Sequence, residues 1–214
     1  MNENRLCIVV GACPPGLMIL PQDAFIIACD GGVRYLEDWG PDLIVGDFDS
    51  FDIDRIPPDM DCPVLRLPCE KDDTDIMAAL REGIRRGFRR FLLYGCMGGR
   101  PDHAYANYQV LGWLTEQGAQ GWLCGEGWIV THIEKASMTI HGAPGRVFSV
   151  FAPEGRAAGV SIENARYPLQ DAELSGAFPL GVSNEFRNGP VRISVEEGRL
   201  LVMWQGDLTK QGIL

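Results

Sequence analysis

No apolar run in this chain approaches the roughly 18 residues that a membrane-crossing helix needs, so a membrane protein of that kind is not expected. Basic stripes are missing as well. The formal net charge is −10, and without clustered Lys and Arg there is nothing to engage a nucleic-acid backbone. The seven cysteines show no CxxC repeat, which argues against a disulfide framework or a zinc site. Reduced thiols in a cytoplasm are the expectation, with Cys7, Cys29 and Cys96 acting as small buried hydrophobes inside apolar runs. The opening MNENRLCIVVGACPPG is interrupted by Gly and Pro too soon for a secretory signal and reads as a first buried strand. Internal repeats, a Gly-Lys-Ser/Thr phosphate loop and a GxGxxG fingerprint are all lacking.

What is present is enough apolar material for an ordinary core, 46% of 214 residues. Leu6–Gly11, Phe25–Cys29, Leu43–Gly46, Val64–Leu67 and Phe91–Gly95 read as buried strands. Ile76, Ala79, Leu80, Gly83 and Ile84 fall at helical spacing, with Gly87 as a stop. A second helix is predicted from Asp102 as N-cap, with Ala104, Tyr108, Leu111 and Thr115 on one face. Strands alternating with helices predict a mostly parallel sheet covered on both sides. Past about Trp122 the helical period fades, and turn-separated short runs predict an antiparallel sandwich or partial barrel. The fold class is therefore α/β: an N-terminal α/β unit over residues 1–126 and a smaller antiparallel β unit over 127–214.

Four clusters able to carry chemistry each follow a predicted strand, where open α/β sheets bind ligands. Asp30-Gly31-Gly32 permits close backbone approach to a phosphate or sugar; taken alone, it reads sooner as a tight strand-to-helix turn capped by Asp30. In Gly46-Asp47-Phe48-Asp49-Ser50, an extended chain would send Asp47 and Asp49 to one side and Phe48 to the other. Two such carboxylates repel unless a cation sits between them, and Mg²⁺ suits oxygen ligands shared with a substrate phosphate. Lys71-Asp72-Asp73-Thr74-Asp75 opens the first helix. Capping explains part of it, with Asp73 as the cap; Asp75 is left for a metal shell and Lys71 for a phosphate. Gly95-Cys96-Met97-Gly98-Gly99-Arg100-Pro101-Asp102-His103 runs from strand to helix, offering backbone N–H groups and a guanidinium to an anion. His103 is read as a plain first-turn polar residue.

In this order the clusters resemble the thiamine pyrophosphokinase family: Asp-Gly-Gly at Asp30–Gly32, Pro-Asp-x-x-x-Gly-Asp-Phe-Asp-Ser at Pro41–Ser50, Lys-Asp-x-Thr-Asp at Lys71–Asp75, and Gly-Gly-Arg-x-Asp-His at Gly98–His103. Arg146–Pro153 is similar to the family's strand entering its small β domain, and Val182-Ser183-Asn184-Glu185 to its late Ser-Asn motif. The resemblance implies an α/β catalytic domain, a thiamine-binding and dimerisation β-sandwich, and a homodimer with thiamine in clefts between subunits. The reaction it implies moves the terminal pyrophosphoryl group of ATP to the thiamine hydroxyl, giving thiamine diphosphate and AMP. Asp47, Asp49 and Asp75 would bind Mg²⁺. Arg100 and Asp102 would line the transfer site. Asp30, Gly31, Gly32, Lys71, Asp72, Thr74, Gly98 and Gly99 would meet the nucleotide, while Ser183, Asn184 and the aromatic Tyr167 would meet thiamine. Two positions depart from the pattern: Cys29 stands for Ala, and Pro101 for Leu or Phe. Residues 118–146 match only loosely.

Rival readings are a pyrophosphokinase for another small alcohol such as a pterin, a nucleotide- or thiamine-binding protein without turnover, a dehalogenase-type phosphatase and a DxD glycosyltransferase. Phe51 stands where the phosphatase pattern wants Thr or Val.

Overall fold

The computed structural model describes residues 2–49, 62–69 and 73–214. The chain forms two compact units, Met1–Glu126 and Gly127–Leu214.

In the first unit the apolar runs become β1 (Leu6–Val10), β2 (Phe25–Cys29), β3 (Leu43–Gly46), β4 (Val64–Arg66) and β5 (Arg90–Tyr94). A further strand, β6 (Gln120–Gly125), follows the second helix. All five pairings are parallel, in the order β4-β3-β2-β1-β5-β6. The chain steps outward from β1 to β4 and then returns to the other side of β1 with β5. That reversal is the switch point at which strand ends splay and leave a crevice. Residues of β1, β2, β3 and β5 are almost wholly buried, as a sheet covered on both faces requires.

Helix α1 (Asp75–Arg85) turns Ile76, Ala79, Leu80 and Gly83 inward, the predicted stripe. Its cap is Thr74, whose hydroxyl accepts from the Met77 N–H at 3.2 Å, and not Asp73. Asp73 instead pairs with Arg81 at 2.9 Å. Helix α2 (Pro101–Glu116) also starts differently from expectation. Arg100 is the N-cap residue and Pro101 the first helical position, which suits a residue with no N–H to leave unpaired. The inward face of α2 carries Asn107, Val110, Leu111 and Leu114, so of the four residues expected there only Leu111 is buried. Its apolar residues are spread around the helix, and periodicity alone could not orient it.

The second unit has β7 (Trp128–Glu134), β8 (Ser137–Ile140), β9 (Val147–Phe151), β10 (Arg156–Glu163), β11 (Leu169–Ser175), β12 (Asn184–Glu185), β13 (Val191–Ser194) and β14 (Arg199–Gln205). They pair antiparallel as β12-β9-β14-β7 and as β11-β10-β13-β8. Strand β11 left no trace in the sequence pattern because only Leu174 along it is buried.

Two titratable residues lie buried inside this unit. Arg199 on β14 is 6% exposed and holds Glu134 at 3.0 Å and Glu154 on its other side. His132 on β7 is 4% exposed. Burial, reinforced by repulsion from Arg199, lowers its imidazole to about 4. The folded state therefore keeps His132 neutral, whereas an unfolded imidazole charges near pH 6.5. Its contribution is fully present above that pH and is lost as the pH falls toward 4, a change on the order of 3 kcal/mol. Urea unfolding should accordingly lose less stability between pH 7 and pH 4.5 in His132→Asn than in the parent chain. Equal losses would show that His132 is not the group responsible.

Candidate active site

A cleft of about 590 Å³ opens at the carboxyl ends of the parallel strands. Nearly every strand end supplies part of its wall: Cys13 after β1, Asp30 after β2, Asp47 and Asp49 after β3, Cys69 after β4, and Gly98 and Arg100 after β5. The start of α1 adds Asp73, Thr74 and Asp75, and α2 adds His103 and Asn107. Residues separated by as many as 96 positions in sequence thus share one crevice, from Gly11 to Asn107.

The local backbone explains how two of these carboxylates are presented. Asp30 is buried and begins the 3-10 helix Asp30–Tyr35 with φ of 44°. Cys29, without a side-chain cap bond, occupies the N-cap, so Asp30 is not the cap that a simple turn would make of it. Phe48 has φ of 59°. The Asp47-Phe48-Asp49 segment is therefore not extended, and both aspartates reach the cleft through a left-handed turn and not through strand alternation. The β3–β4 ladder stops at Gly46 opposite Arg66, which releases the chain to turn. The Arg66 guanidinium lies 5.6 Å from the Phe48 ring centroid and holds the turn on its aromatic side. Left-handed φ at two non-glycine residues in one cleft is the kind of strain that functional sites retain. Asp42, within the same motif, has a supporting role: its carboxylate accepts from the Ile26 N–H at 2.8 Å.

Arg100 and Asp102 form an exposed ion pair at 2.6 Å. The Arg100 hydrogen bond, helped by the His103 N–H, lowers the Asp102 carboxyl to about 2. Asp102 is thus ionised at any working pH and engaged with the guanidinium, while Arg100 is the member of the pair that lines the cleft. Asn107 donates to the Cys96 carbonyl at 2.7 Å and so fixes the loop that carries Gly98 and Arg100. Cys29 and Cys96 are buried, and burial pushes both thiols up, Cys96 to about 12. They are inert packing groups.

Of the residues singled out in the sequence, the cleft gathers Asp30, Asp47, Asp49, Thr74, Asp75, Gly98 and Arg100. Gly31, Gly32, Gly99 and Asp102 support these residues without lining the cleft. Ser50, Lys71 and Asp72 lie outside the described residues. Sequence reasoning passed over Cys13, although Gly11-Ala12-Cys13 follows the first strand and obeys the strand-end rule used for the other four clusters. It also assigned nothing to His103 or Asn107, one helical turn apart on α2. Among the described residues, no three His, Cys, Asp or Glu side chains are gathered tightly enough to hold a metal ion.

Tyr167, Ser183 and Asn184 form a cluster of their own in the second unit. Asn184 is buried, and its amide accepts from the Tyr167 N–H at 3.0 Å and donates to the Tyr167 carbonyl at 2.7 Å. Asn184 therefore positions Tyr167, whose ring is 55% exposed. Arg166 lies 5.4 Å from that ring centroid and pairs with Glu185 at 2.7 Å. Ser183, at φ of 58°, donates its N–H to the Ser149 hydroxyl at 3.1 Å.

An acidic strand-end cleft on a parallel sheet, joined in one chain to an antiparallel β unit, defines a two-unit α/β protein with a small-ligand crevice. The family model for the thiamin pyrophosphokinase catalytic domain matches residues 18–123, and that for the thiamin pyrophosphokinase vitamin B1 binding domain matches residues 135–200. The chain belongs to the thiamin pyrophosphokinase family. It is a thiamine diphosphokinase, transferring a pyrophosphoryl group from ATP to thiamine. Solved structures share the fold. Thiamine pyrophosphokinase from Bacillus subtilis superposes with a TM-score of 0.84 at 24% identity, covering 96% of this chain and 100% of that one. The Geobacillus thermodenitrificans enzyme gives 0.81 at 24% identity over 95% and 99%. A thiamin pyrophosphokinase family protein from Enterococcus faecalis gives 0.79 at 25% identity over 95% and 100%. A comparison with curated protein sequences gave no significant match. No helix among the described residues is long and apolar enough to cross a membrane.

Proposed function

We propose that the strand-end cleft of residues 1–126 is the catalytic site and that Asp47, Asp49 and Asp75 hold Mg²⁺ there together with the polyphosphate, whose oxygens complete a ligand set that these side chains alone do not form. The observation that carries this reading is the charge of the cleft. Asp30, Asp47, Asp49, Asp73 and Asp75 line it, five carboxylates beside the one guanidinium of Arg100. A polyphosphate meeting that surface needs a hard cation between, and carboxylate oxygens are the donors Mg²⁺ prefers. Bound there, Mg²⁺ would neutralise phosphate oxygens and lower the barrier to attack at phosphorus.

The chain's own groups would do the rest. Backbone at Asp30 and Gly98, with Thr74 beside them, would meet the nucleotide, while Gly31, Gly32 and Gly99 would shape the turns that present it. The thiamine hydroxyl oxygen would form a bond to the β-phosphorus of ATP while the bond from that phosphorus to the α,β-bridging oxygen breaks; AMP leaves and the hydroxyl proton is released. Arg100 is placed to stabilise charge growing on the bridging oxygen. Asp102, bound to Arg100, acts as a positioning residue for that guanidinium. Tyr167, held by Asn184, offers an aromatic face to the cationic thiazolium, and Ser183 shapes its surroundings.

The test is the nucleotide product. Protein with ATP, Mg²⁺ and thiamine should release AMP in proportion to thiamine consumed, and Mg²⁺ removal should stop it. ADP as product, or turnover unaffected by chelation, would overturn the reading.

The second unit, residues 127–214, would serve thiamine binding and dimerisation. Tyr167, Phe178, Leu180 and Val182 are half or more exposed, an apolar surface that suits a second copy of the chain. A homodimer is expected by sedimentation; a monomer at working concentration would remove the shared face. Seven free thiols and no disulfide support a reducing, cytoplasmic setting.

A further inference from the structure

The second unit contains a cavity of about 450 Å³ that the transfer reaction leaves unused. It lies where the turn after β8, the Gly189-Pro190 turn and the segment following β14 converge. That segment is pinned in place by one amide. The His141 N–H donates to the Gln211 side-chain oxygen at 3.0 Å, and the Gln211 Nε2 donates to the carbonyls of His141 and Asp207, both at 2.9 Å. Its wall residues 205–207 and 210 lie beyond residue 200, where the vitamin B1 binding match ends.

The cavity's charge runs against that of the chain. Arg146 and Lys210 both line it, with His141 beside them, in a protein of net charge −10. Among the described residues neither Arg146 nor Lys210 forms a salt bridge. The one acid in the wall, Asp207, accepts from the Thr209 N–H at 3.0 Å and the Thr209 hydroxyl at 2.7 Å and is also attracted by Lys210, so with Arg146 and Lys210 opposing a single carboxylate the wall keeps a net positive charge. A planar fork and a point charge facing one small cavity are the two ways proteins hold phosphate oxygens. The size falls in the range of small-ligand sites. Behind the rim lies Trp204, fully buried, whose indole N–H has no acceptor among the described residues. A Cβ on Gly206 would stand 2.8 Å from that nitrogen, so glycine at this wall position leaves the indole edge uncovered by any side chain there.

We propose that this cavity is a second ligand site, separate from the transfer cleft, for a small phosphate- or pyrophosphate-bearing anion, with Arg146 and Lys210 as its binding residues. Equilibrium dialysis of the full chain in excess chelator tests it, because the carboxylate-lined transfer cleft then lacks the metal ion with which it would hold an anion. Inorganic pyrophosphate, inorganic phosphate and AMP serve as separate probes. At least one should bind with a Kd below about 1 mM. Its binding should weaken tenfold or more in Arg146→Gln/Lys210→Gln, survive in Asp47→Asn, and change tryptophan emission in the parent chain but not in the double variant. Both substituted side chains are exposed, so urea midpoints should be unchanged; if the double variant does not fold, Lys210→Glu alone should show the same loss. Binding by none of the three probes, or equal binding by the parent and the Arg146/Lys210 variants, would overturn the proposal. Either result leaves the AMP-release assay to judge the transfer reaction independently.

Discussion

Replacing Asp47 by asparagine is expected to lower AMP formation by about a hundred- to a thousandfold, the range found when a single group that organises charge at a reacting phosphate or oxyanion is removed. The substitution keeps the size of the side chain and an oxygen able to accept the long 3.4 Å contact from the Asp49 N–H. It removes the negative charge that an Mg²⁺ ligand must supply. Asp47 is only half buried and lies past the end of β3, so the urea midpoint should move by less than the equivalent of about 0.5 kcal/mol. Raising Mg²⁺ should recover part of the loss if weakened metal binding is its cause. An Asp47→Asn enzyme retaining more than about a tenth of parental turnover at ordinary Mg²⁺ would remove this residue from the metal site, since a tenfold effect amounts to only about 1.4 kcal/mol of barrier.

The second large effect is structural. In Gly32→Ala the new Cβ would stand 2.1 Å from the Val10 carbonyl oxygen, 2.9 Å from its carbon and 3.0 Å from the Gly11 carbonyl oxygen. All three are backbone atoms, and Val10 is a fully buried residue of the central strand β1. No rotamer change can relieve that contact. Either the 3-10 helix Asp30–Tyr35 moves off the sheet or β1 is displaced, and overpacking of this kind costs about 3 kcal/mol. Because Asp30 opens that helix, activity should fall together with stability. Wild-type stability in Gly32→Ala, read from the urea midpoint, would mean that the helix can shift without cost. Here Gly32 reads as the residue that lets a helix approach a strand backbone, a role distinct from direct approach to a phosphate.

The two substitutions separate what the acidic and glycine motifs do. Asp47 and Asp49 were recognisable because a carboxylate pair after a buried strand has few structural uses. Phe48 was not recognisable as a turn residue, since nothing local signals a left-handed conformation at phenylalanine; it follows from the end of the β3–β4 ladder and from Arg66 beside the ring. Thr74 and Asp73 exchanged roles for a comparable reason. Both are good caps by type, and the choice was settled by Arg81 taking Asp73. In the second unit, Asn184 was singled out as a thiamine contact, yet its amide is used on the Tyr167 backbone, a partner 17 residues earlier.

The sequence by itself determined the first five strands, the existence of both helices and the family. All of the first five strands fall within a residue of their expected limits; for β1, β2, β3 and β5 this is because buried parallel strands must be apolar throughout and stop at the Gly and Asp residues that follow. The order of the four acidic and glycine-rich clusters, with the late Ser183-Asn184 pair, was enough to name the family. The tertiary structure alone decided which members of those clusters share a cleft, which face of α2 turns inward, and that Asn107 braces the loop bearing Arg100. It alone disclosed the cavity of Arg146 and Lys210, two cations 64 positions apart. The physical reason is that periodicity and capping act over a turn or two of chain, whereas a binding site is a convergence of strand ends and loops whose closeness is set by sheet order and by long-range hydrogen bonds.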